Sequence, residues 1–574
     1  MPDSQETPVP EAIVTALAEA GVEYVVGMPG GYTGPLFVAL HSHPRIRVVQ
    51  VREESIGTVM ADAYGRLRGK PMVVMGQGEW IAGNAGQGLL ESLLGSAPVV
   101  VLTEMSDGGR FSHHAPYQAG TGDYGNWDAR MVLQGMTKRV MVAHSGVQAV
   151  QLTQLAFKHA MTGQPGPVAV IYTGRALSAT VRANSIPAIY RSDAYLPRGK
   201  RTIDLGAVER AAKRFSDAER PVIIAGNGVR VGQACDELVA VATALEVPVV
   251  TTSSGKGVFP ESHPLAGGVM GSFGNGAANY LVATADLLLA IGTKLAPMDT
   301  ADENAKLIDP ARQTIVQVDT EPLNISWTYP ADEQVVADAG YFLQTFRQFA
   351  NDGEVPAKRG IAEVAAARGH ASVSNGRPAE SDLELTPHDI VQVLGECVPD
   401  SAVVTCDAGE NRLFMLQWYR TKLPGGYLQP ASGGGMGYAV PAALGAKLAN
   451  FDRPVIAVCG DGGFAMSLHA LMTAVQERIP IAVIVFNNNA LGWVLHGMGD
   501  KVVAANFAAF DYGAIATAIG CDGARVRNTS ELRTALGGIA ALTKPLVVEV
   551  ATSLATSFKD IVQPIASSRW TAGD

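Results

Sequence analysis

Three times along this chain, short runs of β-branched and aliphatic residues break off at a glycine or a small polar residue and give way to a helical period. The first set is EYVVGMPG, RIRVVQV, PMVVMG, APVVVLTEM and PGPVAVIY. The second is RPVIIAGNG, VPVVTTS, ADLLLAIGT and QTIVQVD, and the third AVVTCDAG, RPVIAVCGDGG, IAVIVFNNN and PLVVEVAT. Strands that are apolar throughout are those buried on both faces, and strands separated by helices run parallel. The expectation is an α/β chain of three doubly wound parallel-sheet domains. A length of 574 residues agrees, being too great for a single hydrophobic core.

The boundaries follow from where the pattern lapses. Residues 191–203 (RSDAYLPRGKRTI) are polar, which puts a first domain at 1–190 and a central domain at 191–350. Residues 351–385 are poor in large apolar groups and read as a surface linker. Thr386, an N-cap with Pro387 in the first helical position, opens a third domain at 386–552. Residues 553–574 show no clear period and are expected to form a C-terminal tail or lid. A net charge of -10 would repel a phosphate backbone, which argues against nucleic acid as a partner. The five scattered cysteines read as reduced core residues. The amino terminus has no basic flank followed by an apolar segment, and no apolar run reaches membrane-spanning length. The expectation is a cytoplasmic protein without membrane association.

Gly460-Asp461-Gly462-Gly463 stands directly between an apolar strand and a helical run, where backbone amides and a helix N-terminus can receive a phosphate. The strand after that helix ends in Asn487-Asn488. Strand, turn, helix and strand bring both strand ends to one edge of the sheet, so Asp461 and Asn488 can converge on a hard cation that wants oxygen ligands. Taken singly, GDGG is a turn and NNN a polar strand end. Together, with an unbroken helix and a strand between them, they resemble the magnesium–diphosphate motif of thiamine diphosphate enzymes.

The resemblance implies specific roles. Asp461 and Asn488 would ligate Mg2+ through their side chains and Ala490 through its carbonyl, with Gly460, Gly462 and Gly463 against the diphosphate. The segment from Ser432 to Ala443 (SGGGMGYAVPAA) is similar to the one that family members wrap around the aminopyrimidine. There Met436 would be the apolar wedge that bends the cofactor, and Gly434 would offer a carbonyl to the exocyclic amine. Gly409, Glu410 and Asn411, after Asp407, resemble the loop that holds the diphosphate from the other side. VVQVREESIGTVMADAYGRLRGKP resembles the family's glutamate segment and puts Glu54 at the position that activates the cofactor. Gln77 and Asn84 fall in a polar loop facing it, although the family's Gly-Pro-Gly is absent. Because the family joins such a glutamate and such an aspartate across two subunits, a homodimer or homotetramer with interfacial active sites is implied.

The resemblance extends over essentially the whole chain and points to the branch of acetolactate synthases, oxalyl-CoA decarboxylase and 2-hydroxyacyl-CoA lyases. It implies that Asp319, in IVQVDTEP, meets a nucleotide ribose. Gly226 and Gly228 are compatible with ADP, CoA or FAD in the central domain, and equally with a plain strand-to-helix turn. The acetolactate synthase pattern fails after the Asn pair, where this chain reads Ala490-Leu-Gly-Trp493-Val-Leu-His496. Trp493 and His496 would border the substrate pocket, and His113 and His114 are candidates for proton transfer. Lys559, Ser567, Ser568 and Arg569 could close over the phosphates of an acyl-CoA. The narrowest expectation is a lyase similar to the bacterial 2-hydroxyacyl-CoA lyases, releasing formyl-CoA and a ketone or aldehyde. The alternatives are a 2-oxo acid decarboxylase or carboligase of acetolactate synthase type, and a non-catalytic nucleotide-binding homologue. Intact Glu54, Asp461 and Asn488 argue against the last.

Overall fold

Each set of apolar runs forms one six-stranded, all-parallel sheet flanked by helices. In the first domain the strands are β1 (Tyr24–Gly27), β2 (Arg47–Gln50), β3 (Met72–Met75), β4 (Val99–Met105), β5 (Arg139–Ala143) and β6 (Pro167–Thr173), in the spatial order 2-1-3-4-6-5. The central domain holds β7 (Pro221–Ala225), β8 (Val249–Thr251), β9 (Ala266–Val269), β10 (Leu287–Ile291), β11 (Thr314–Asp319) and β12 (Glu333–Val336), in the order 9-8-7-10-11-12. This is the dinucleotide-fold order 3-2-1-4-5-6. The third holds β13 (Val403–Cys406), β14 (Tyr427–Leu428), β15 (Val455–Gly460), β16 (Ala482–Asn487), β17 (Asp522–Val526) and β18 (Leu546–Ala551), in the order 14-13-15-16-18-17. The first and third domains therefore share one topology. The structure, a computed structural model, describes residues 6–41, 43–106, 119–123, 125–182, 187–196, 203–351, 357–371 and 374–562. His113, His114, Ser567, Ser568 and Arg569 lie outside the described residues.

The expected linker is not structureless. Gly360–His370 forms a helix docked on the central domain, with Gly360 N–H bonded to Glu246 O at 2.8 Å and the Arg368 guanidinium to Ala266 O at 2.9 Å. Alanine-rich sequence is a strong helix former, and two buried side chains, Val364 and Ala367, suffice to seat it. The boundary at 190 also moves outward. Ser192 N–H bonds Glu19 and the Gln154 amide bonds Tyr190 O, so this stretch belongs to the first domain. The expected unbroken helix after Asp461 is two helices, Asp461–Ser467 and Ala470–Gln476, which tighten at Leu468-His469 into i to i+3 bonds to Leu471 and Met472. No helix among the described residues is long and apolar enough to cross a membrane.

What positions the site is the packing of the first domain on the third. Helix α1 (Glu54–Arg68) lies against Ala439–Ala449, a helix whose 11 residues are all buried. Their axes approach closely because a Cβ on Gly445 would sit 2.1 Å from Met60 O, so the position admits only glycine. On the opposite side α1 meets the first sheet, where Gly57 faces Val26.

Candidate active site

In the third sheet Gly460 pairs with Phe486, so the turn that begins at Asp461 and the strand end at Asn487-Asn488 lie side by side at the carboxyl edge. They line a narrow cavity of about 80 Å3 together with Gly409, Asn411 and Met436. Asp461 is 2% exposed; its Oδ1 accepts from Gly462 N–H at 2.8 Å, and its Oδ2 has no partner among the described residues. Burial pushes this carboxyl up to about 6, against the pull of the Gly462, Asn489 and Ala490 amides. A buried, unpaired carboxylate oxygen is costly unless something outside the chain satisfies it. Asn488 Oδ1, bonded to Ala490 N–H at 3.1 Å, and Ala490 itself stand beside it. Among the described residues no cluster of three or more His, Cys, Asp or Glu side chains could hold a metal. One carboxylate, one amide and one carbonyl leave most of an octahedron to phosphate and water oxygens, a set that fits Mg2+ on a diphosphate.

Close approach constrains the glycines here. A Cβ on Gly462 would lie 3.1 Å from the Met436 methyl, and one on Gly463 would lie 2.4 Å from Asp407 Oδ2. Asp407 is fully buried and accepts from the amides of Ala408, Gly437 and Tyr438, which ties two loops of the cleft together; burial pushes its carboxyl up to about 7.

Gly409, at φ +111°, opens the helix Glu410–Trp418. The Glu410 carboxylate lines the same cleft, and its Oε1 accepts from His496 Nδ1 at 2.8 Å and from Phe558 N–H at 2.9 Å. His496 Nε2 meets Leu554 O at 3.0 Å, and the hydrogen bond to Glu410 holds the imidazole above its ordinary range. Trp493 stacks on Phe558 with ring centroids 4.8 Å apart and meets Phe273 of the central domain edge-on at 5.3 Å. Glu410, Trp493 and His496 thus anchor the C-terminal segment beside the cleft. Asn411 donates to Asp407 O at 3.1 Å, and its Oδ1 faces Gly409 and Gly460.

Glu54 begins α1 and is 2% exposed. Asn84 Nδ2 donates to its Oε2 at 3.2 Å, while Oε1 lies next to Gly76. Glu53 points elsewhere and pairs with His469 at 2.8 Å. Gln77 packs under Gly30, whose Cβ would meet it at 2.6 Å. Two residues escaped the sequence reading. Gln87 Nε2 donates to Met436 O at 2.6 Å, and Glu91 accepts from Ala431 N–H at 2.7 Å and Gly435 N–H at 3.0 Å. A Gln and a Glu four apart on the helix after Asn84 was the available signal. The first domain therefore touches the Met436 segment within one copy of the chain.

A second cavity, of about 530 Å3, lies where all three domains meet and is lined by Gln164, Lys294, Asp319, Trp327, Arg412 and Gly434. Asp319 accepts from Glu321 N–H at 2.9 Å and Asn324 Nδ2 at 3.1 Å, and the Lys294 ammonium lies over the Trp327 ring at 4.7 Å. Cβ atoms on Gly226 and Gly228 would meet the backbone of Gly292 at 2.2 and 2.6 Å. Contact between two strand-end turns is enough to require glycine at both positions.

Family comparison agrees with this geometry. Residues 8–122 match the N-terminal TPP binding domain of thiamine pyrophosphate enzymes, 208–346 the central domain, and 407–550 the C-terminal TPP binding domain. A probable acetolactate synthase large subunit from Methanocaldococcus jannaschii is 30% identical over 493 residues, covering 84% of this chain and 80% of that protein. The acetolactate synthase large subunit of Mycobacterium tuberculosis is 28% identical over 540 residues, covering 91% of this chain and 84% of its own length. Isozyme 3 of Escherichia coli is 28% identical over 491 residues, covering 84% and 83%. With three domains matched in order and a buried acid, an amide and a glycine cradle at one sheet edge, the chain belongs to the thiamine pyrophosphate enzyme family and catalyses carbon–carbon bond chemistry.

Proposed function

We propose that this protein is a magnesium-dependent 2-oxo acid decarboxylase and carboligase of acetolactate synthase type. The observation that carries the cofactor assignment is the buried Asp461 oxygen without a partner, facing Asn488 across a glycine-lined cleft. The reaction class rests on the three relatives named above, which are acetolactate synthases; they do not support cleavage of a 2-hydroxyacyl-CoA, the narrower expectation from sequence.

Asp461, Asn488 and the Ala490 carbonyl would hold Mg2+, and the amides of Gly462 and Gly463 would meet the diphosphate. Met436 would fill the bend beneath the cofactor. Glu54 Oε2 accepts from Asn84, which leaves Oε1 for a hydrogen bond with the pyrimidine ring nitrogen. Bound thiamine diphosphate supplies a carbon nucleophile that adds to the 2-oxo carbonyl and takes up the electron pair left when carbon dioxide departs. Met436, Leu491 and Trp493 give the cleft an apolar wall, and shedding water from such a wall on substrate binding would favour transfer to a second carbonyl over loss of a free aldehyde. The central cavity has the size for an adenine nucleotide, and yellow colour on purification would identify it as a flavin. Large exposed side chains (Trp80, Leu90, Leu94, Met466 and Met472) support burial against a second copy in a homodimer or homotetramer.

The test is titration of chelated, dialysed protein with thiamine diphosphate in the presence and absence of Mg2+, followed by a panel of 2-oxo acids and 2-hydroxyacyl thioesters. Magnesium-dependent binding and release of carbon dioxide with a coupled product are expected. Formyl-CoA in place of carbon dioxide would restore the lyase reading, and no binding would remove both. Glu54→Gln should lower turnover by roughly a hundredfold or more while leaving cofactor affinity within a few-fold.

A further inference from the structure

Within the apolar strand β18, LVVEVA, one position carries a charge: Glu549, which is fully buried. On the reading that the adjoining cleft holds Mg2+ on a diphosphate, we infer that Glu549 is the positioning residue of the magnesium loop, acting through Asn487. Its two oxygens receive donors from two sides. Oε1 accepts from Asn487 Nδ2 at 2.7 Å and lies 3.2 Å from Arg525 Nε; Oε2 accepts from the amides of Tyr512 at 2.7 Å and Gly513 at 3.2 Å. Only a carboxylate can accept on both oxygens, and a buried charge is tolerable when it is satisfied in this way. Every group in this set belongs to the third domain, so the geometry is complete within one copy of the chain.

The carboxylate dictates which way Asn487 faces. With its Nδ2 turned to Glu549, its Oδ1 is left to accept from Asn489 N–H at 3.1 Å. Asn489 stands between Asn488 and Ala490 at φ +53°, in the left-handed region that residues other than glycine enter at a cost and hold where surrounding bonds fix it. This turn joins the two residues assigned to the metal, so its conformation decides where their oxygens stand. A second grip reaches the loop from outside: Asn489 O accepts from Phe507 N–H at 2.7 Å, Leu491 N–H donates to Ala505 O at 2.8 Å, and Ala490 bridges Asn506. The segment that carries those partners runs on to Tyr512 and Gly513, the amides on the other Glu549 oxygen. One carboxylate thereby fixes both the strand end before the loop and the strip of chain laid along it. Groups of this kind, one bond removed from the ligands, orient them and tune metal affinity.

The experiment uses the full-length protein, stripped by chelation and reloaded, as Glu549→Gln, Asn487→Asp, Asn487→Ala and the double variant Asn487→Asp/Glu549→Gln. The half-saturating Mg2+ concentration for thiamine diphosphate uptake is read by calorimetry, beside the melting temperature of each protein without metal or cofactor. Glu549→Gln presents an NH2 group to one of the two sets of donors, and Asn487→Asp sets two carboxylates face to face. Each single variant should raise the half-saturating Mg2+ concentration roughly tenfold to a hundredfold. The double variant exchanges amide and carboxylate across the same hydrogen bond at unchanged net charge, and should return the value to within about threefold of the parent's. A residue that only supports the fold would lower the metal-free melting temperature and leave the Mg2+ requirement of the folded protein where it was. That result for Glu549→Gln overturns the inference, as does a double variant as impaired as the two single changes combined. Should Glu549→Gln fail to fold, Asn487→Ala, which breaks the same link from its other end, decides by the same reading. Failure of the parent to take up thiamine diphosphate with Mg2+ overturns instead the function on which the inference rests.

Discussion

Glu104 lies at the carboxyl end of β4, 1% exposed, with no hydrogen-bond partner for either oxygen among the described residues. Burial pushes its carboxyl from 4.5 up to about 7, and the nearby amides of Gly78 and Tyr32 only partly offset this. A folded-state value above the unfolded one means the folded chain keeps a proton that the unfolded chain gives up. The associated stability is present below about pH 4.5 and is lost progressively as pH rises to about 7. Glu104→Gln removes the titration while keeping the shape. Its melting temperature should therefore gain on the parent's between pH 5 and 8, by up to about 3 kcal/mol of relative stability. A gap that stays constant across that range would show that Glu104 is not buried as its acid. No sequence pattern marked this residue, and Gln87 was marked only by its spacing from Glu91, its partner Met436 being 349 positions away. Asp461 and Asn488 were legible because a hard cation on a phosphate admits few side-chain types, and the alternation of strand and helix sets both at one edge.

The helices that carry the site depend on small residues at their crossing. Gly445→Ala would drive a methyl to within 2.1 Å of Met60 O, a backbone atom that cannot move without shifting α1 and Glu54 with it. The expected cost is about 3 kcal/mol or more, read from the denaturation midpoint, together with weakened cofactor binding. Gly395→Ala is the contrasting case: it lies within helix Pro387–Cys397 with open space at its Cβ, and it should stabilise by about 0.5–1 kcal/mol. Equal effects at the two positions would discard the close-approach argument. The elements read correctly from sequence are the apolar inner strands and one edge strand, Arg47–Gln50. The strands that went unread, β5, β9, β12, β14 and β17, are all edge strands. With one neighbour instead of two, an edge strand tolerates shorter or more polar sequence, as in DGARV of Asp522–Val526, which is mostly exposed. Gly360–His370 went unread for a related reason, since its seat needs methyl groups rather than large side chains.

The three domains meet at Arg66, which is fully buried. Its guanidinium donates to Gln429 O at 2.9 Å and Tyr438 Oη at 3.0 Å in the third domain, to Asn227 Oδ1 at 3.3 Å in the central domain, and to Asp62 of its own helix at 3.4 Å. Tyr438 Oη in turn donates to Asp62 at 2.7 Å, and Arg230 bonds both Asn227 and Tyr427 O. Interfaces between domains are ordinarily modest and polar and leave the domains free to move. Here a buried ion makes the placement of each domain a condition for satisfying the other two. Burial pushes Asp62 up while the adjacent Arg66 charge pulls it down, so removing the guanidinium strands an acid in the core. Arg66→Met should cost about 3–5 kcal/mol, most of it the penalty of unpaired partners rather than the worth of the pair itself. Adding Asp62→Asn should recover part of that loss. Because Arg66 has hydrogen-bond partners in all three domains, calorimetry of Arg66→Met should resolve into separate transitions where the parent shows one. A single transition at the parental temperature would mean that the domains are registered by their apolar faces alone.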